Sequence, residues 1–421
     1  MHIGMLLAGT AVAVALCGGA AAAETQRFTE FSNGEAVGHL VAEIDGPDVR
    51  LDYAVSNNGR GPKVQEHIRL SPDGLPVDWT IDGGSLFGAP VHERFSWNGG
   101  HAIWQSQADH GDRALPAPAL YVGNDASPWA EGVYVRAALK AKDHAVALLP
   151  EGQLKVRLAR TVTVQHAGKP VALDIYELSG IDLNPSYVTL DKNGDLVAAR
   201  EVLRDGYDDV RAALAQARSG IDTDRAELAQ RTLAHRFSGP VRIRNIRIFD
   251  PERMTMSGPS DVIVYRDRIA AVTAQGTLPA SPDETVIDGA GGALVPGLHD
   301  MHSHTDLDTN LFNLAAGVTA TRDMGNENDR IMAISDGLAA GRFAGPRISR
   351  NGLLEGRSPY SVRLGFVADS LPQAIEDVHW YAEHGFYEVK IYNSLNPDWV
   401  GPVSAGADRL GMGVTCHFPA F

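Results

Sequence analysis

The chain has 421 residues, of which 44% are hydrophobic and 21% charged; that is enough apolar material for more than one buried core and excludes an intrinsically disordered chain. Its 37 Lys and Arg stand against 52 Asp and Glu, a formal charge of −15 at pH 7. Such a balance repels phosphate backbones and anionic membrane surfaces, so nucleic acid is not an expected partner.

The chain opens with an apolar run from Leu6 to Leu16 and the small residues Ala21-Ala22-Ala23, before the first acid at Glu24. Residues 1–23 are predicted to be a secretory signal with an Ala-x-Ala cleavage site, although only His2, and no Lys or Arg, precedes the apolar run. That run is too short for a comfortable membrane span. The expected product is therefore exported, periplasmic or secreted, with no membrane insertion after cleavage. Cys17 falls within this segment, so only Cys416 outlasts cleavage, which excludes an intramolecular disulfide framework.

Residues 24–203 read as a β-rich N-terminal domain. Short alternating runs such as Asp48 to Val55 end in turn signals such as Asn57-Asn58-Gly59. Similar runs recur at Leu154 to Val164 and Val171 to Leu178, and Asp191-Lys192-Asn193-Gly194 reads as a hairpin turn. Trp79, Trp97, Trp104, Tyr121 and Trp129 either line a groove for an elongated ligand or fill the core, and core is the commoner use in a β-domain. Residues 204–238 turn helical, with Val210, Leu214, Ala217, Leu228 and Leu233 at helical spacing and Ser219-Gly220 expected to interrupt them. This is read as a connector between domains. Residues 239–292 return to strands, from Val241 to Phe249, Val262 to Tyr265, Ile269 to Val272 and Thr285 to Ile287. They suffice for part of a small sandwich that packs against the segment C-terminal to it.

From Gly292 onward the pattern becomes strand, loop, helix, strand. Apolar strands are predicted at Ala293 to Leu298, Val318 to Arg322, Arg347 to Ser349, Glu388 to Tyr392 and Gly413 to His417. One intervening helix is well marked: Ser370 can cap it with Gln373 three residues on, Ile375, Val378 and Tyr381 share a face, and Gly385 can end it. Five strands alternating with helices predict a parallel α/β architecture, either barrel or open sheet.

His302-Ser303-His304 is the sharpest chemical signal. Residues i and i+2 on a strand project to one face, so both imidazoles can reach one metal ion. Around it, Val295-Pro296-Gly297-Leu298-His299-Asp300-Met301-His302-Ser303-His304 resembles the first-strand signature of the amidohydrolase superfamily. Gly317-Val318-Thr319-Ala320-Thr321-Arg322-Asp323-Met324-Gly325 looks like that family's second strand. Val389-Lys390-Ile391-Tyr392 is similar to its fourth strand, and Thr415-Cys416-His417-Phe418-Pro419-Ala420 to its fifth. The likeness covers Gly239 to Phe421, with the motifs in the family's order, and is nearest to imidazolonepropionase-like and Xaa-Pro dipeptidase-like members.

The resemblance implies a TIM-type (β/α) metal-dependent hydrolase barrel in residues 293–421, incomplete after strand 5. It implies one or two divalent ions, with zinc expected, on His302, His304, His417 and a carboxylated Lys390. An ammonium cannot ligate a metal, whereas a carbamate is an anion with two oxygens. Asp300 shares the parity of the histidines and either orients one from behind or is an ordinary strand-end residue. Cys416 is expected to point into the helix layer as a core residue rather than a ligand. The implied reaction is hydrolysis of a C-N bond in a small-molecule substrate, a cyclic amide or dipeptide, by a metal-activated water.

The family's sixth-strand histidine and eighth-strand aspartate, its ligand and general base, are not found here. The span from Ala293 is about half of the ~250 residues typical of an eight-stranded barrel. The chain is thus expected to be a fragment or a truncated product, unstable or inactive alone, because an open half-barrel exposes strand edges and apolar surface. Two other readings stay open: a phosphoester or lactone hydrolase on the same scaffold, and a non-catalytic exported binding protein that works through its β-domain.

Overall fold

The computed structural model describes residues 23–32 and 34–419; the expected signal, apart from Ala23, lies outside the described residues. Three sheets succeed one another along the chain. No helix is long and apolar enough to cross a membrane.

The first sheet has 15 strands built as two meanders. One steps outward from Glu24–Ser32 to His110–Ala114, and the other from Leu120–Tyr121 back to Val202–Arg204. They are joined where the outer meander's first strand pairs antiparallel with the last strand, Phe28 opposite Arg204. Alternation along the strands builds the core: in Asp48–Val55, Val49, Leu51, Tyr53 and Val55 are buried while their neighbours face outward. The aromatics are core: Trp79, Trp104, Tyr121 and Trp129 are all buried and Trp97 is packed beside them.

Helix α1 (Trp129–Lys140) lies inside this β-domain, with nine of its 12 residues buried. Its sequence has no clear polar face, so a period of 3.6 leaves little trace in it. Helix α2 (Arg211–Leu233) comes next as one unbroken helix of 23 residues. Ser219-Gly220 does not interrupt it. Gly220 faces Arg160, whose guanidinium stands 2.8 Å from where a Cβ would be, so the glycine makes room rather than ending the helix. Leu214, Ala217 and Ile221 are buried, but Leu228 and Leu233, read as part of the same face, are exposed because the helix runs past the β-domain there.

Val241–Asp250 organises the second sheet. Ser260–Tyr265 pairs antiparallel on it, and Thr285–Asp288 and Ala293–Leu294 pair parallel to it. This is a single six-stranded sheet among the described residues, not two packed layers, and Ile269, Val272 and Val286 on it are exposed. Arg242 is buried in it between Glu284 (2.7 Å) and Asp261 (3.4 Å). Ala293–Leu294, predicted as the start of the first parallel strand, belongs here instead. The Pro296-Gly297 step separates the two, and the parallel strand begins at Leu298.

The third sheet is parallel, in the order Leu298–Ser303, Val318–Asp323, Arg347–Gly356, Glu388–Ile391, Gly413–Cys416, with Phe366–Ala368 paired beside Arg347–Gly356. Helices α3 (Thr309–Ala315), α4 (Asn328–Ala339), α5 (Leu371–Glu383) and α6 (Pro397–Arg409) connect its strands. Ser370 accepts the Gln373 N–H at 3.4 Å at the start of α5, and Gly385, at φ +72°, comes just after its end. Leu354, Val389 and Ile391 pack on Val378 and Tyr381 of α5 and Val403 and Ala407 of α6. Among the described residues the sheet is open, with Leu298–Ser303 and Gly413–Cys416 as its edges. Cys416 pairs with Ile391 and so has helix-side parity, but it is exposed rather than core, since an edge strand is covered by neighbours on one side only.

The meander seam is the point on which the β-domain depends. Phe28, 1% exposed at that seam, is expected to cost about 3–5 kcal/mol when replaced by Ala, measured by guanidinium unfolding of the chain.

Candidate metal centre

Parallel strands deliver their C-terminal ends to one side, and the residues singled out in the sequence gather there. His302 lies near the end of Leu298–Ser303, His304 one residue beyond that strand, Lys390 near the end of Glu388–Ile391, and His417 just past Gly413–Cys416. His417 donates its backbone N–H to the Ile391 carbonyl at 3.0 Å, which keeps it in line with the fourth strand.

The His302 and His304 rings stand 5.5 Å apart between centroids, inclined at 61°. His304 Nδ1 lies 2.7 Å from the Gly325 carbonyl, which can only accept, so Nδ1 carries a proton and Nε2 is the nitrogen left to face outward. Asp300 acts on the main chain rather than on a ring: its Oδ1 accepts the His302 N–H at 3.0 Å. His417 rests against Tyr392, ring centroids 4.4 Å apart.

Lys390 is 5% exposed and sits in register between Leu353 and Thr415, opposite in parity to the helix-facing Val389 and Ile391. Burial, and then the Arg322 cation, hold its amine below the ordinary lysine value. His302 is held below the ordinary imidazole value by burial first, then by Lys390 and His304. His417 is lowered by burial first, then by Lys390, His302 and Arg60. The three side chains therefore feel one another, with the amine common to both histidines. Among the described residues no group of three His, Cys, Asp or Glu side chains is placed to hold a metal ion.

Three carboxylates that frame the site were not singled out as functional from the sequence. Asp323 is fully buried; its Oδ2 accepts the Thr305 N–H at 2.7 Å and its Oδ1 the Gly325 N–H at 3.1 Å, clamping both segments that set His304. Glu388, two residues before Lys390 and on its face, takes Arg322 Nε at 2.9 Å and Asn351 Nδ2 at 2.9 Å. Glu355, also fully buried, accepts the Ser394 N–H at 2.6 Å and the Val362 N–H at 3.2 Å, gathering the loops beyond two strands. Asp323 belongs to the second-strand motif, and its position at a strand end was the available signal.

The β-domain reaches the same mouth. Glu35 pairs with Arg363 at 2.7 Å, and Gly59, at φ +69°, lies so close to Tyr360 that a Cβ would be 2.9 Å from its ring. Arg60, next in that turn, is the cation that acts on His417 from outside the parallel sheet. Farther along, Arg342 of the α4 to third-strand loop pairs with Glu227 of α2 at 2.7 Å, and Arg225 pairs with Asp308.

Neither family models nor curated proteins match the chain. Solved structures similar to it are prolidases, dipeptidases and other amidohydrolases. A prolidase complexed with N-methylphosphonate-L-proline is 18% identical with TM-score 0.37, over 42% of this chain and 56% of that one. A Xaa-Pro dipeptidase with bound methionine in its active site is 17% identical with TM-score 0.37, over 43% and 57%. Molinate hydrolase is 16% identical with TM-score 0.36, over 44% and 55%. The chain thus spans about half the length of the solved structures it resembles.

Two substitutions probe this arrangement. Asp323→Ala leaves the Thr305 and Gly325 N–H groups without their acceptor and is expected to cost about 2–4 kcal/mol in denaturant unfolding. Arg60→Glu replaces a cation with an anion near His417, so the His417 pKa should rise; histidine NMR titration reads it, and an unmoved value would place Arg60 outside the site's field.

Proposed function

We propose that the chain carries the metal-binding strands of a hydrolase that cleaves a C-N bond in a small exported-compartment substrate, a dipeptide or cyclic amide. The observation that carries this reading is Lys390: a buried amine shared between two histidines, with no place for a solvated charge. As an ammonium it disfavours any ion beside it and offers no lone pair. Its depressed pKa raises the fraction of neutral amine, whose nitrogen can attack the carbon of CO2 and release a proton, leaving a carbamate anion. That conversion would change a repulsive cation into an anionic donor near His302, His304 and His417, and imidazole with carboxylate-type oxygen is the kind of donor chemistry that suits zinc. A divalent ion held there supplies Lewis acidity toward a carbonyl and a more acidic water.

The chain's own residues have defined parts in this reading. Depressed pKa values keep His302 and His417 neutral at pH 7, with lone pairs available to donate. The Gly325 carbonyl fixes the tautomer of His304, and Asp323 holds the segment on which it stands. Asp300 braces the backbone at His302, a supporting role behind the ligand. The Gly59-Arg60 turn and Tyr360 form part of the wall that a substrate would meet.

The test combines composition and turnover. Protein dialysed against zinc and 13C-bicarbonate should retain metal and show one carbamate carbon by NMR. Metal-dependent hydrolysis should appear with dipeptides or cyclic amides and not with phosphoesters or lactones. Lys390→Met should remove the carbamate signal and lower both metal retention and turnover at least ~100-fold. Because both histidines are depressed, half of the zinc should be lost only at a pH below the ordinary imidazole value of 6.5. Wild-type protein that binds no zinc and keeps an unmodified Lys390 would sink the proposal, and turnover of phosphoesters or lactones alone would move the reading to that class.

A further inference from the structure

We propose that the β-domain supplies part of the substrate site through two hairpin tips: Arg60 receives a free carboxylate, and Phe87 with Leu86 takes an apolar side chain beside it. This role rests on the hydrolase reading and narrows it, from dipeptides or cyclic amides in general to substrates that end in a carboxylate. Both tips lie before Gly239, outside the stretch that resembles the amidohydrolases.

Backbone geometry sets Arg60 firmly. Asn57-Asn58-Gly59-Arg60 joins the strands Asp48–Val55 and Lys63–Leu70. Asn58 (φ +56°) and Gly59 (φ +69°) are both left-handed, and Asn57 and Arg60 exchange two main-chain hydrogen bonds, at 2.7 and 3.0 Å. This is the two-residue hairpin turn whose twist matches that of its strands. Asn57 Nδ2 also donates to Ser32 Oγ at 3.0 Å. The turn meets the loop after the third parallel strand, where Gly59 leaves no room for a Cβ beside the Tyr360 ring. That loop is tied in turn to the one after the Lys390 strand: Ser358 Oγ lies 2.8 Å from Ser394 Oγ, and Glu355 accepts the Val362 and Ser394 N–H groups. Arg60 is thereby carried on a fixed turn toward His417, where its charge is felt.

The guanidinium is left without an acid. Arginines on the facing loop are each matched, Arg363 by Glu35 at 2.7 Å and Arg357 by Asp369 at 2.5 Å. Arg60 has no ion pair among the described residues, in a chain where 52 acids outnumber 37 bases. It stands instead beside an aromatic ring, its guanidinium carbon 5.7 Å from the centre of Phe87. A planar guanidinium placed this way keeps its donors for a carboxylate, which it can take through two parallel hydrogen bonds.

Phe87 is the second observation. It is 76% exposed and Leu86 51%, in a domain whose tryptophans are buried in the core or packed against it. The two residues form the tip between Pro76–Gly84 and Pro90–Asn98, closed by the Gly88 N–H on the Ser85 carbonyl at 2.9 Å. Gly61 donates its N–H to the Leu86 carbonyl at 3.2 Å, which locks this tip to the Arg60 turn. An apolar pair held beside an unmatched cation is complementary to a terminal amino-acid residue, which carries an apolar side chain and a carboxylate on one carbon. A cyclic amide without a carboxylate leaves Arg60 unmatched.

The test uses the full chain dialysed against zinc and three probes that carry no C-N bond: 4-methylpentanoate, 4-methylpentanol and acetate. Binding is read by saturation-transfer NMR at pH 7 and low salt. 4-Methylpentanoate should bind about tenfold more tightly than either other probe. Arg60→Gln should remove its advantage over the alcohol while leaving the alcohol's affinity unchanged, and Arg60→Lys should restore part of it. Phe87→Ser should weaken 4-methylpentanoate about fivefold and leave acetate as it was. A carboxylate held by zinc alone keeps its affinity in Arg60→Gln, and an Arg60 with a merely structural role lowers acid and alcohol together. Either result, equal binding of acid and alcohol by the wild type, or no effect of Phe87→Ser overturns the proposal. Zinc and carbamate content of the same samples report on the hydrolase reading separately. Their presence without an Arg60-dependent preference sinks the carboxylate site alone, and their absence beside that preference sinks the hydrolase reading alone.

Discussion

A primary amine held 5% exposed on a central parallel strand is the constraint around which the C-terminal half is arranged. Burial disfavours its charge, and the neighbouring Arg322 adds to that penalty. The surrounding structure answers locally. Glu388 absorbs Arg322, Asn351 supports Glu388, and the imidazoles of His302 and His417 stay neutral beside the lysine. The carboxylate that acts on the amine, Glu388, is itself already engaged by Arg322 and Asn351.

Holding the loops above this amine falls to buried carboxylates. Asp323 and Glu355 each accept more than one backbone N–H from loops beyond the parallel strands, so segments with no regular structure are positioned as firmly as the strands themselves. Glu66 and Glu93 serve the β-domain in the same way, fixing the 124–127 segment from within an apolar sheet. In both halves the chain uses desolvated acids on main-chain donors to give loops a single conformation. The two halves then meet through Glu35 with Arg363, Gly59 with Tyr360 and Glu227 with Arg342, which bring the Arg60 turn toward His417 at the candidate site.

Much of this architecture was readable along the chain. Alternation marks β-domain strands such as Asp48–Val55 and Lys63–Leu70, because a strand with one buried face repeats every two residues. The capping of α5 by Ser370 and its end at Gly385 reflect local backbone chemistry. Helix α1 was not readable, since a helix buried on most sides carries no amphipathic stripe. The Ser219-Gly220 break and the core position of Cys416 failed for the opposite reason. Each depended on what stood opposite, an Arg160 side chain in one case and an edge strand in the other, and no local pattern encodes that.

By itself the sequence determined the order of most of the elements, the parity of His302 and Lys390 on their strands, and an acidic chain, because these depend on spacing, composition and backbone geometry alone. Only the tertiary structure decided that the strand of Lys390 stands between those of His302 and His417, that Asp323, Glu355 and Glu388 anchor the loops and side chains around them, and that Asp300 braces a backbone instead of a ring. Most of those are relations between residues tens to hundreds of positions apart. Register and packing, not sequence spacing, set such distances.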